Sequence, residues 1–252
     1  MPTSDNESPP VYREIAEELR AAIASGRLSD GDRVPGENDL MKRYGVARAT
    51  ARQALSVLIN EGILVPIRGS GVYVRAFRPL RRHGPRRLSR ELWGSGRAIW
   101  QADAADRSFE IDDVRIDEVP AEAHVARALA VAEGTMVLRR RRRYRLDDRP
   151  LQLASSYLPL DLVRGTAIAR VDTGPGGIYA RLAELGRAPA HFTEEIRVRM
   201  PTPAEAKALR LTAGTPVLDV LRTALTSEHT AVELNEMTLD GSAYVLQYDF
   251  EA

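Results

Sequence analysis

The stretch GENDLMKRYGVARATARQALSVLINEG, residues 36–62, decides the fold of the N-terminal part of the chain. Its first half predicts a short helix over Glu37–Tyr44, and Gly45 closes that helix, since glycine is typical just past a helix end. A second helix is predicted from residue 47 or 48 to about residue 60. Its apolar residues recur on one face, at Ala51, Leu55 and Leu58. Two helices joined by a short, glycine-containing turn are the centre of a helix-turn-helix motif.

The residues on either side complete the motif. An amphipathic helix is predicted over residues 11–25 from apolar residues at every fourth position, namely Val11, Ile15, Leu19 and Ile23. Residues 28–35 have the composition of a turn. Downstream, the β-rich runs Ile63–Val65 and Gly71–Val74 are joined by a tip that contains glycine, which predicts a hairpin. Three helices and a hairpin predict a winged helix-turn-helix domain over residues 1–78.

An arginine-rich linker is predicted over residues 79–91. The run RPLRRHGPRRLSR, residues 78–90, shows neither helix nor strand periodicity and is interrupted by prolines and a glycine. We interpret it as a solvated tether, because such a composition rarely packs. The alternative is that its arginines add phosphate contacts beside the hairpin.

The remaining part, residues 92–252, contains an internal duplication. ALAVAEGTMVL at residues 128–138 aligns with ALRLTAGTPVL at residues 208–218, an offset of 80. Downstream, LQL at residues 151–153 aligns with VEL at residues 232–234, an offset of 81. Each copy predicts strand, short helix, Gly-Thr turn, strand, turn and strand. Two such copies predict one antiparallel sheet with helices against it, so the second domain is expected to be α+β.

Composition excludes several classes of protein. The chain has 252 residues, 44% of them hydrophobic, and it has no cysteine, which excludes disulfides, thiol catalysis and cysteine-bound metals. Its four histidines lack the spacing of metal ligands, and no metal or other cofactor is predicted. No apolar run reaches the ~20 residues of a membrane span, and the N-terminus lacks a signal-peptide core. We therefore expect a cytoplasmic protein without a membrane partner.

Charge is distributed unevenly along the chain. Residues 1–90 hold 16 Lys+Arg and 10 Asp+Glu, a net charge of +6, whereas the remainder carries −5, which gives the formal net charge of +1. A basic first part and an acidic second part predict an anionic partner for the first part alone.

The N-terminal motifs together resemble the DNA-binding domain of the GntR family. The resemblance covers nearly all of residues 10–75 and rests on VYREI at 11–15, GDRVPGE at 31–37, YGVAR at 44–48, RQAL at 52–55, EGIL at 61–64 and RGSGVYV at 68–74. Residues from about 92 onward resemble the UTRA effector domain of the HutC branch, at SYLP (156–159) and GIY (177–179). The resemblance implies a homodimer on near-palindromic, double-stranded operator DNA. It also implies a chorismate-lyase-like second domain that binds a small-molecule effector of unknown identity.

The recognition helix carries the first predicted DNA contacts. In a helix-turn-helix, the N-terminal turn of the second helix enters the major groove. Arg48 and Arg52 lie beside the buried face of that helix, and an arginine there can bind guanine through two hydrogen bonds. Thr50 is expected to contact phosphate. The alternative is that both arginines are ordinary solvated surface residues.

Two further segments are expected to contact DNA. At the start of the preceding helix, backbone amides can face a phosphate, at Gly36, Glu37 and Asn38. The Asn38 side chain can also contact phosphate or base. The hairpin tip is expected to lie along the minor groove, with Arg68, Gly69, Ser70 and Gly71. An ordinary hairpin turn would require the glycines but not Arg68.

Effector-binding residues are predicted on the strand that follows the first Gly-Thr turn, RRRRRYR at residues 139–145. Because a strand sends alternate residues to opposite faces, either 139/141/143/145 or 140/142 can face a pocket. The UTRA resemblance points to basic residues on this strand, and among them we prefer Arg143 and Arg145. Tyr179 and Glu233 match positions that contact ligand in the family, and the alternative for Tyr179 is a packed core residue. Leu239 and Ala154 stand where the family has an aromatic and an acidic residue, which argues against an amino-sugar phosphate.

These features predict a sequence-specific transcription regulator, a repressor released from its operator by a small-molecule effector. The first alternative is an enzyme, but no nucleophile and base, no metal spacing and no phosphate-binding loop stand out in the sequence. The second alternative is a DNA-binding regulator that responds to no ligand and whose second domain only dimerises.

Overall fold

The structure of the protein, a computed structural model, describes residues 10–75, 80–95, 99, 109–146 and 149–249, with the backbone alone at residues 85 and 86. The chain divides into two compact units. The first is Met1–Arg78 with Thr212–Thr215, and the second is Pro79–Leu211 with Pro216–Ala252. The domain boundary that we predicted between residues 78 and 79 lies outside the described residues. Among the described helices, none has both the length and the apolar composition that spanning a membrane requires.

The first unit is the winged helix-turn-helix that the sequence predicts. Its elements are α1 Val11–Ala24, α2 Glu37–Tyr44, α3 Arg48–Asn60, β1 Leu64–Ile67 and β2 Gly71–Val74. Gly45 ends α2 with a φ of 65°, a left-handed conformation that glycine adopts without strain, and α3 begins three residues later. Strands β1 and β2 pair antiparallel and form the wing, which Arg33 extends by an isolated bridge to Tyr73.

One apolar core holds these elements together. Each helix and β1 contribute fully buried residues, including Ile15, Leu40, Ala51, Leu58 and Leu64. Val11 is 46% exposed although it shares the every-fourth-residue spacing of Ile15. Four residues advance an α-helix by about 400°, so a stripe with this spacing drifts by about 40° at each step. The first residue of α1 therefore lies outside the buried face.

The second unit is built on a six-stranded sheet. In chain order the strands are β3 Leu80–His83, β4 Phe109–Pro120, β5 Met136–Leu146, β6 Arg149–Pro159, β7 His191–Arg199, β8 Val217–Leu225, β9 Ala231–Asp240 and β10 Tyr244–Gln247. The helices are α4 Gly84–Arg87, α5 Arg90–Gly94, α6 Ala123–Leu129, α7 Leu160–Val163, α8 Gly177–Glu184 and α9 Pro203–Ala208. Strands β4 to β9 form the antiparallel sheet in the order β4-β5-β6-β9-β8-β7, which confirms the α+β class.

The internal duplication is visible as a pseudo-twofold axis through this sheet. In the first copy β4, α6, β5 and β6 correspond to β7, α9, β8 and β9 in the second, and the copies meet where β6 pairs with β9. In that pair Ser155 lies opposite Glu236, and these two positions are separated by the duplication offset of 81. The axis therefore passes between these two residues, and the strands on one side have counterparts on the other.

The two faces of the sheet carry different residues of β5. The front face carries Leu138, Arg140, Arg142 and Tyr144, and the back face carries Arg139, Arg141, Arg143 and Arg145. Helix α6 packs on the back face through Val125 and Leu129. Helices α5, α7 and α8 contribute to an apolar core on the front face around Leu138 and Leu158. A ligand site can form only where this front layer leaves space.

The arginine-rich segment is not a solvated linker, and that prediction is wrong. Residues 80–83 form β3, which pairs in parallel with β10, and α4 and α5 follow. Arg82 on β3 is 1% exposed, and its guanidinium donates to the carboxylate of Glu194 on β7. An arginine can be buried when an acid pairs with it. Both partners of β3, the strand β10 and Glu194, lie far away in sequence, so local periodicity gave no sign of them.

Candidate functional site

Two arginines project from the start of α3 in the first unit. Arg48 and Arg52 have side chains that are 60% and 64% exposed. Helix α2 holds both: Nε of Arg52 donates to Oε1 of Glu37 at 2.8 Å, and Nη2 of Arg48 donates to Oδ1 of Asn38 at 2.9 Å. The carboxylate of Glu37 also lies 3.5 Å from Nε of Arg48. Glu37 and Asn38 therefore orient the two guanidiniums that the sequence assigns to base recognition.

The carboxylate of Glu37 is an electrostatic partner of this pair. The hydrogen bond from Arg52 lowers the pKa of Glu37, and the same bond raises the pKa of Arg52. Both groups are therefore charged at neutral pH. The start of α3 presents two cations and one anion, and a glutamate carboxylate can itself accept a hydrogen bond from N4 of cytosine.

The beginning of α2 is partly occupied by its own residues. The amide of Gly36 donates to Oδ2 of Asp39 at 3.1 Å. The amides of Glu37 and Asn38 belong to the first turn, whose N–H groups have no acceptor within a helix. Thr50 is half-buried in the first turn of α3. The phosphate contacts expected of Gly36, Glu37, Asn38 and Thr50 stay predictions.

The tip of the wing is a tight turn with glycine on both sides of Ser70. The amide of Ser70 donates to a carbonyl of β1 at 3.0 Å, and φ is 77° at Gly69 and 132° at Gly71. The φ at Gly71 is one that other residues rarely adopt, so the backbone requires glycine there, and a Cβ would also displace the guanidinium of Arg33, whose Nε would lie 2.9 Å away. Arg68 is exposed at the tip, as a minor-groove contact requires. Its contact with DNA stays a prediction.

The second unit contains a cavity of about 330 Å³ on the front face of the sheet. Its floor is formed by β5, β8 and β9, and one wall is the segment 171–178 that leads into α8. Positive φ angles shape that wall at Gly174, Gly176 and Gly177. Its polar lining includes Arg140, Arg142, Tyr179, Arg222, Glu233 and Asn235. A cavity of this size suits a small metabolite.

Tyr179 and Glu233, both predicted to bind the effector, meet inside this cavity. The hydroxyl of Tyr179 donates to Oε2 of Glu233 at 2.7 Å, and the two residues are 3% and 2% exposed. Burial raises the pKa of Tyr179 well above its ordinary value, so the hydroxyl keeps its proton and donates. The two side chains form one oriented polar group at the cavity.

Two arginines related by the pseudo-twofold axis, Arg142 and Arg222, also line the cavity. Arg222 is 2% exposed, its guanidinium lies 5.7 Å from the ring centre of Tyr179, and its Nη1 lies 3.8 Å from Glu194. Within the described part of the chain, Nε and Nη1 of Arg222 have no hydrogen-bond acceptor. Arg142 donates to the hydroxyl of Ser156. The cavity thus offers buried donors that an anion can satisfy.

Arg140 holds the wall of the cavity in place. Its guanidinium donates to the carbonyls of Ile168 at 2.7 Å and Val171 at 3.1 Å, and to that of Arg170. Burial lowers the pKa of Arg140 to about 10, so it still carries its charge at neutral pH. Its hydrogen bonds link β5 to the segment that covers the cavity.

Arg143 and Arg145 lie on the back face, so their assignment to the cavity is wrong. Arg143 binds Asp112 through two hydrogen bonds of 2.8 Å, and Arg145 lies 3.5 Å from Glu110. The register of β4 and β5 puts Asp112 directly opposite Arg143. The alternation of acids at Glu110 and Asp112 was the available signal, because acids on a neighbouring strand complement one set of arginines and leave the other set for the cavity.

Sequence reasoning missed Arg222 and Asn235. Arg222 follows Arg142 at the duplication offset of 80, so the repeat that predicts the sheet also contained the signal for this second arginine. Asn235 corresponds at the offset of 81 to Ala154, which has no polar group. Nothing in the repeat therefore identifies Asn235.

A chain of ion pairs leads from the cavity to β3. Oε1 of Glu194 accepts from Arg82 and lies 3.8 Å from Nη1 of Arg222. The side chains of the two arginines are 1% and 2% exposed, and that of Glu194 is 10% exposed. Strand β3 is the first described element of this unit in chain order. Arg222 at the cavity and Arg82 on β3 are therefore linked through one carboxylate, that of Glu194.

Models of known families match both units. The model of the bacterial regulatory proteins of the gntR family matches residues 11–74, and the UTRA domain model matches residues 105–245. An HTH-type transcriptional regulator of Streptomyces coelicolor is 32% identical over 250 residues, which cover 96% of this chain and 93% of that protein. The repressor NagR of Bacillus subtilis is 26% identical, with 93% of this chain and 92% of NagR covered.

Further relatives and solved structures cover most of the chain. MngR of Escherichia coli, a mannosyl-D-glycerate transport/metabolism system repressor, is 29% identical over 83% of each chain. A crystal structure of a GntR-family transcriptional regulator has a TM-score of 0.65 at 24% identity and covers 97% of this chain and 98% of its own. PhnF from Mycobacterium smegmatis has a TM-score of 0.57 at 23% identity, with 94% and 99% covered. At these identities the two structures show a shared fold.

Proposed function

This chain belongs to the GntR family of bacterial regulatory proteins, and we propose that it is a homodimeric repressor that an anionic small molecule releases from its operator. It is a DNA-binding transcription regulator with a UTRA ligand-binding domain, and not an enzyme. Repression is supported by the relatives NagR and MngR, which are named repressors. A regulator of operator DNA acts where the chromosome is, in the cytoplasm.

Operator binding combines base recognition by α3 with backbone contacts from α2 and the wing. Arg48 and Arg52 are exposed at the start of α3, and Glu37 and Asn38 of α2 hold them there, where an arginine can reach a base. The exposed Arg68 contributes a cation at the wing tip. Two copies of this surface, related by a twofold axis, match the two half-sites of a near-palindromic operator.

The observation that carries the effector assignment is the buried guanidinium of Arg222, with two nitrogens that have no acceptor among the described residues. Arg142 adds a second guanidinium, and Glu233 with Tyr179 adds an oriented group that can accept and donate hydrogen bonds. A carboxylate or phosphate with a hydroxyl or amino group elsewhere in the molecule satisfies this set.

The ion-pair chain offers a route for release. An anion that binds Arg222 competes with Glu194 for that guanidinium, and Glu194 is the carboxylate that holds Arg82 on β3. Such a ligand favours one arrangement of β3 over another by its differential affinity for the two. Coupling of this kind is typically about 1–3 kcal/mol.

The test is a thermal-shift screen with small carboxylates and phosphates, because a ligand that binds only the native state raises the melting temperature. Arg142→Met is expected to abolish the shift of any hit, whereas Arg143→Met, one residue along the same strand but on the back face, is expected to keep it. Hits that shift both variants alike would contradict the assignment of the cavity. If no anion raises the melting temperature and the protein still binds its operator, the second unit serves dimerisation alone.

A further inference from the structure

Strand β7 ends the sheet with an open edge. In the part of the chain that the structure describes, β7 pairs with β8 alone, over all nine residues of His191–Arg199 and without a register shift. A regular strand of this length presents roughly 30 Å of backbone N–H and C=O groups on its free side. Proteins usually blunt such an edge or cover it.

Strand β4, the counterpart of β7 in the first copy, is blunted. Its pairing with β5 shifts register between Asp112 and Arg115, and Asp113 has a φ of 48°. A bulge of this kind bends the strand and interrupts the row of backbone groups that another chain could use. The duplication therefore created two equivalent edges, and of these two strands only β4 is interrupted by a bulge.

The front side of β7 is apolar and exposed. Ile196, Val198 and the following Met200 are 36%, 68% and 60% exposed, although their two-residue spacing places them in one row. A groove lies beside this row and is lined in part by Leu88, Phe192, Ile196 and Tyr248. A further strand along the free edge would cover both the row and the groove.

The charges on the back side of β7 favour a second copy of β7 as its partner strand, and they favour one register of that pairing. Glu195 and Arg197 have side chains that are 68% and 78% exposed. If two copies of β7 pair about a twofold axis perpendicular to the sheet, the axis passes one residue that opposes itself. An axis at Ile196 puts Glu195 opposite the partner's Arg197, and does so twice. An axis one residue away would oppose two copies of Glu195 or two copies of Arg197, which destabilises the pairing.

We propose that β7 pairs antiparallel with β7 of a second copy, centred on Ile196, so that two six-stranded sheets become one continuous sheet. In this register Ile196 packs on the partner's Ile196, and Met200 lies opposite the partner's Phe192 at the groove. The inference rests on the homodimer of the proposed function and identifies its contact surface.

Charge reversal tests the register in the full-length chain. Glu195→Arg opposes arginines and Arg197→Glu opposes glutamates at both contacts, so each variant alone is expected to raise the dimer dissociation constant at least about tenfold in sedimentation equilibrium. An equal mixture of the two variants restores both opposite-charge contacts and is expected to form a heterodimer with affinity near that of the unaltered chain. Damage to folding could not be repaired by mixing. Arg115→Glu on β4 is the matched control and is expected to leave the dimer unchanged.

A cysteine scan tests the same contact without altering charge, since the chain has no cysteine of its own. Directly opposed residues of antiparallel strands have Cα atoms about 4.5–5.5 Å apart, within the range of a disulfide. Ile196→Cys is expected to form a covalent dimer on mild oxidation, and Val198→Cys is not, because it opposes the partner's Glu194.

The outcomes separate this inference from the proposed function. If the unaltered chain is a dimer, and the reversed variants stay dimeric while Ile196→Cys stays uncrosslinked, the β7 contact is overturned and the homodimer uses another surface. If the unaltered chain is a monomer at micromolar concentration, both the contact and the proposed homodimer are overturned. Operator binding by that monomer would still support the role of α3.

Discussion

Among single residues, Glu37 contacts both arginines that we propose to read bases, because its carboxylate reaches Arg52 and Arg48. Its hydrogen bond with Arg52 must weaken if that guanidinium turns to bind guanine. The free energy gained on binding guanine is therefore the difference between two charge-assisted hydrogen-bonded states of Arg52, one with guanine and one with Glu37. With a wrong base, Arg52 keeps its hydrogen bond to Glu37. This competition favours specificity over raw affinity.

Arg52→Ala tests base reading at this position. We expect operator affinity to fall by about 1–3 kcal/mol and the preference at one base pair to relax, since a bidentate contact is lost. The measurement is a fluorescence titration with the operator and with single-base variants of it. Arg20→Ala on α1 is the control, because Arg20 is held by Glu17 and by Glu61 at the C-terminal end of α3, the end opposite to Arg48 and Arg52. Unchanged base preference in Arg52→Ala would remove Arg52 from the list of base contacts.

At the scale of elements, β3 shows how a charged segment becomes part of a core. The buried guanidiniums of Arg82 and Arg222 both form ion pairs with the carboxylate of Glu194. Removing one member of such a group leaves its partner buried without full compensation, which typically costs more than the pair itself contributes.

Arg82→Ala should therefore destabilise the protein by about 3–5 kcal/mol in urea unfolding, since Glu194 loses its closest cation. Arg81→Ala, the neighbouring exposed arginine on the same strand, is expected to change the free energy of unfolding by less than about 0.5 kcal/mol. Equal, small effects of both substitutions are the result that a solvated tether would give, and they would contradict the burial of β3.

Helix α9 provides a pH-dependent element. Glu205 binds Arg199 through two hydrogen bonds of 2.8 Å and also accepts from the amide of Thr202 at the helix cap. The hydrogen bonds from Arg199 lower the pKa of Glu205 to about 2. A lowered pKa stabilises the fold above the ordinary value of the carboxyl, and that stabilisation is lost as the pH falls from about 4.5 towards 2.

Glu205→Gln should therefore lower the free energy of unfolding at neutral pH, by an amount on the order of 2 kcal/mol. The difference from the unaltered chain should shrink as the pH falls below 4.5, the ordinary pKa of that carboxyl. Denaturant melts at several pH values measure this difference. Glu228→Gln is the control, since that exposed carboxylate lies 3.8 Å from Arg187. A difference in the free energy of unfolding that stays constant as the pH falls from 4.5 to about 2 would contradict the ion pair.

The elements differ in how far the sequence predicts them. The helix-turn-helix follows from local signals, because the apolar face of α3 and the glycine after α2 lie within one stretch of residues. The role of β3 depends on β10 and Glu194, which are distant in sequence. The facing of β5 depends on the acids of β4, whose register is shifted by the bulge between Asp112 and Arg115. Strand pairing determines which arginines of β5 face the cavity. The sequence of one strand does not specify its partner strand or its register.

At the scale of the whole molecule, the repressor proposal requires that two events in different units influence each other. Linkage makes such an influence reciprocal: if an anion weakens operator binding, the operator must weaken binding of that anion by the same factor. The expected factor is about 5–150, which corresponds to a coupling of about 1–3 kcal/mol.

Calorimetric titration of the anion, with and without saturating operator, measures this factor directly. We expect weaker anion binding in the presence of operator, and we expect Arg82→Ala to reduce the difference, since it breaks the ion-pair chain from Arg222. A scrambled duplex of equal length is the control. Equal anion affinities with and without operator would exclude allosteric release, and the second unit would then be a dimerisation module.

The strand order β4-β5-β6-β9-β8-β7 also sets what a ribosome-bound chain can do. The first three strands are neighbours in sequence and can pair as soon as they emerge, whereas β9 lies about 80 residues beyond β6. Because synthesis adds about 5–20 residues per second, the edge of β6 that later pairs with β9 stays uncovered for several seconds. During that time Arg142 is present but Arg222 and Glu233 have not been made. The cavity on the front face of the sheet therefore cannot be complete until the second copy of the repeat has been made and has docked.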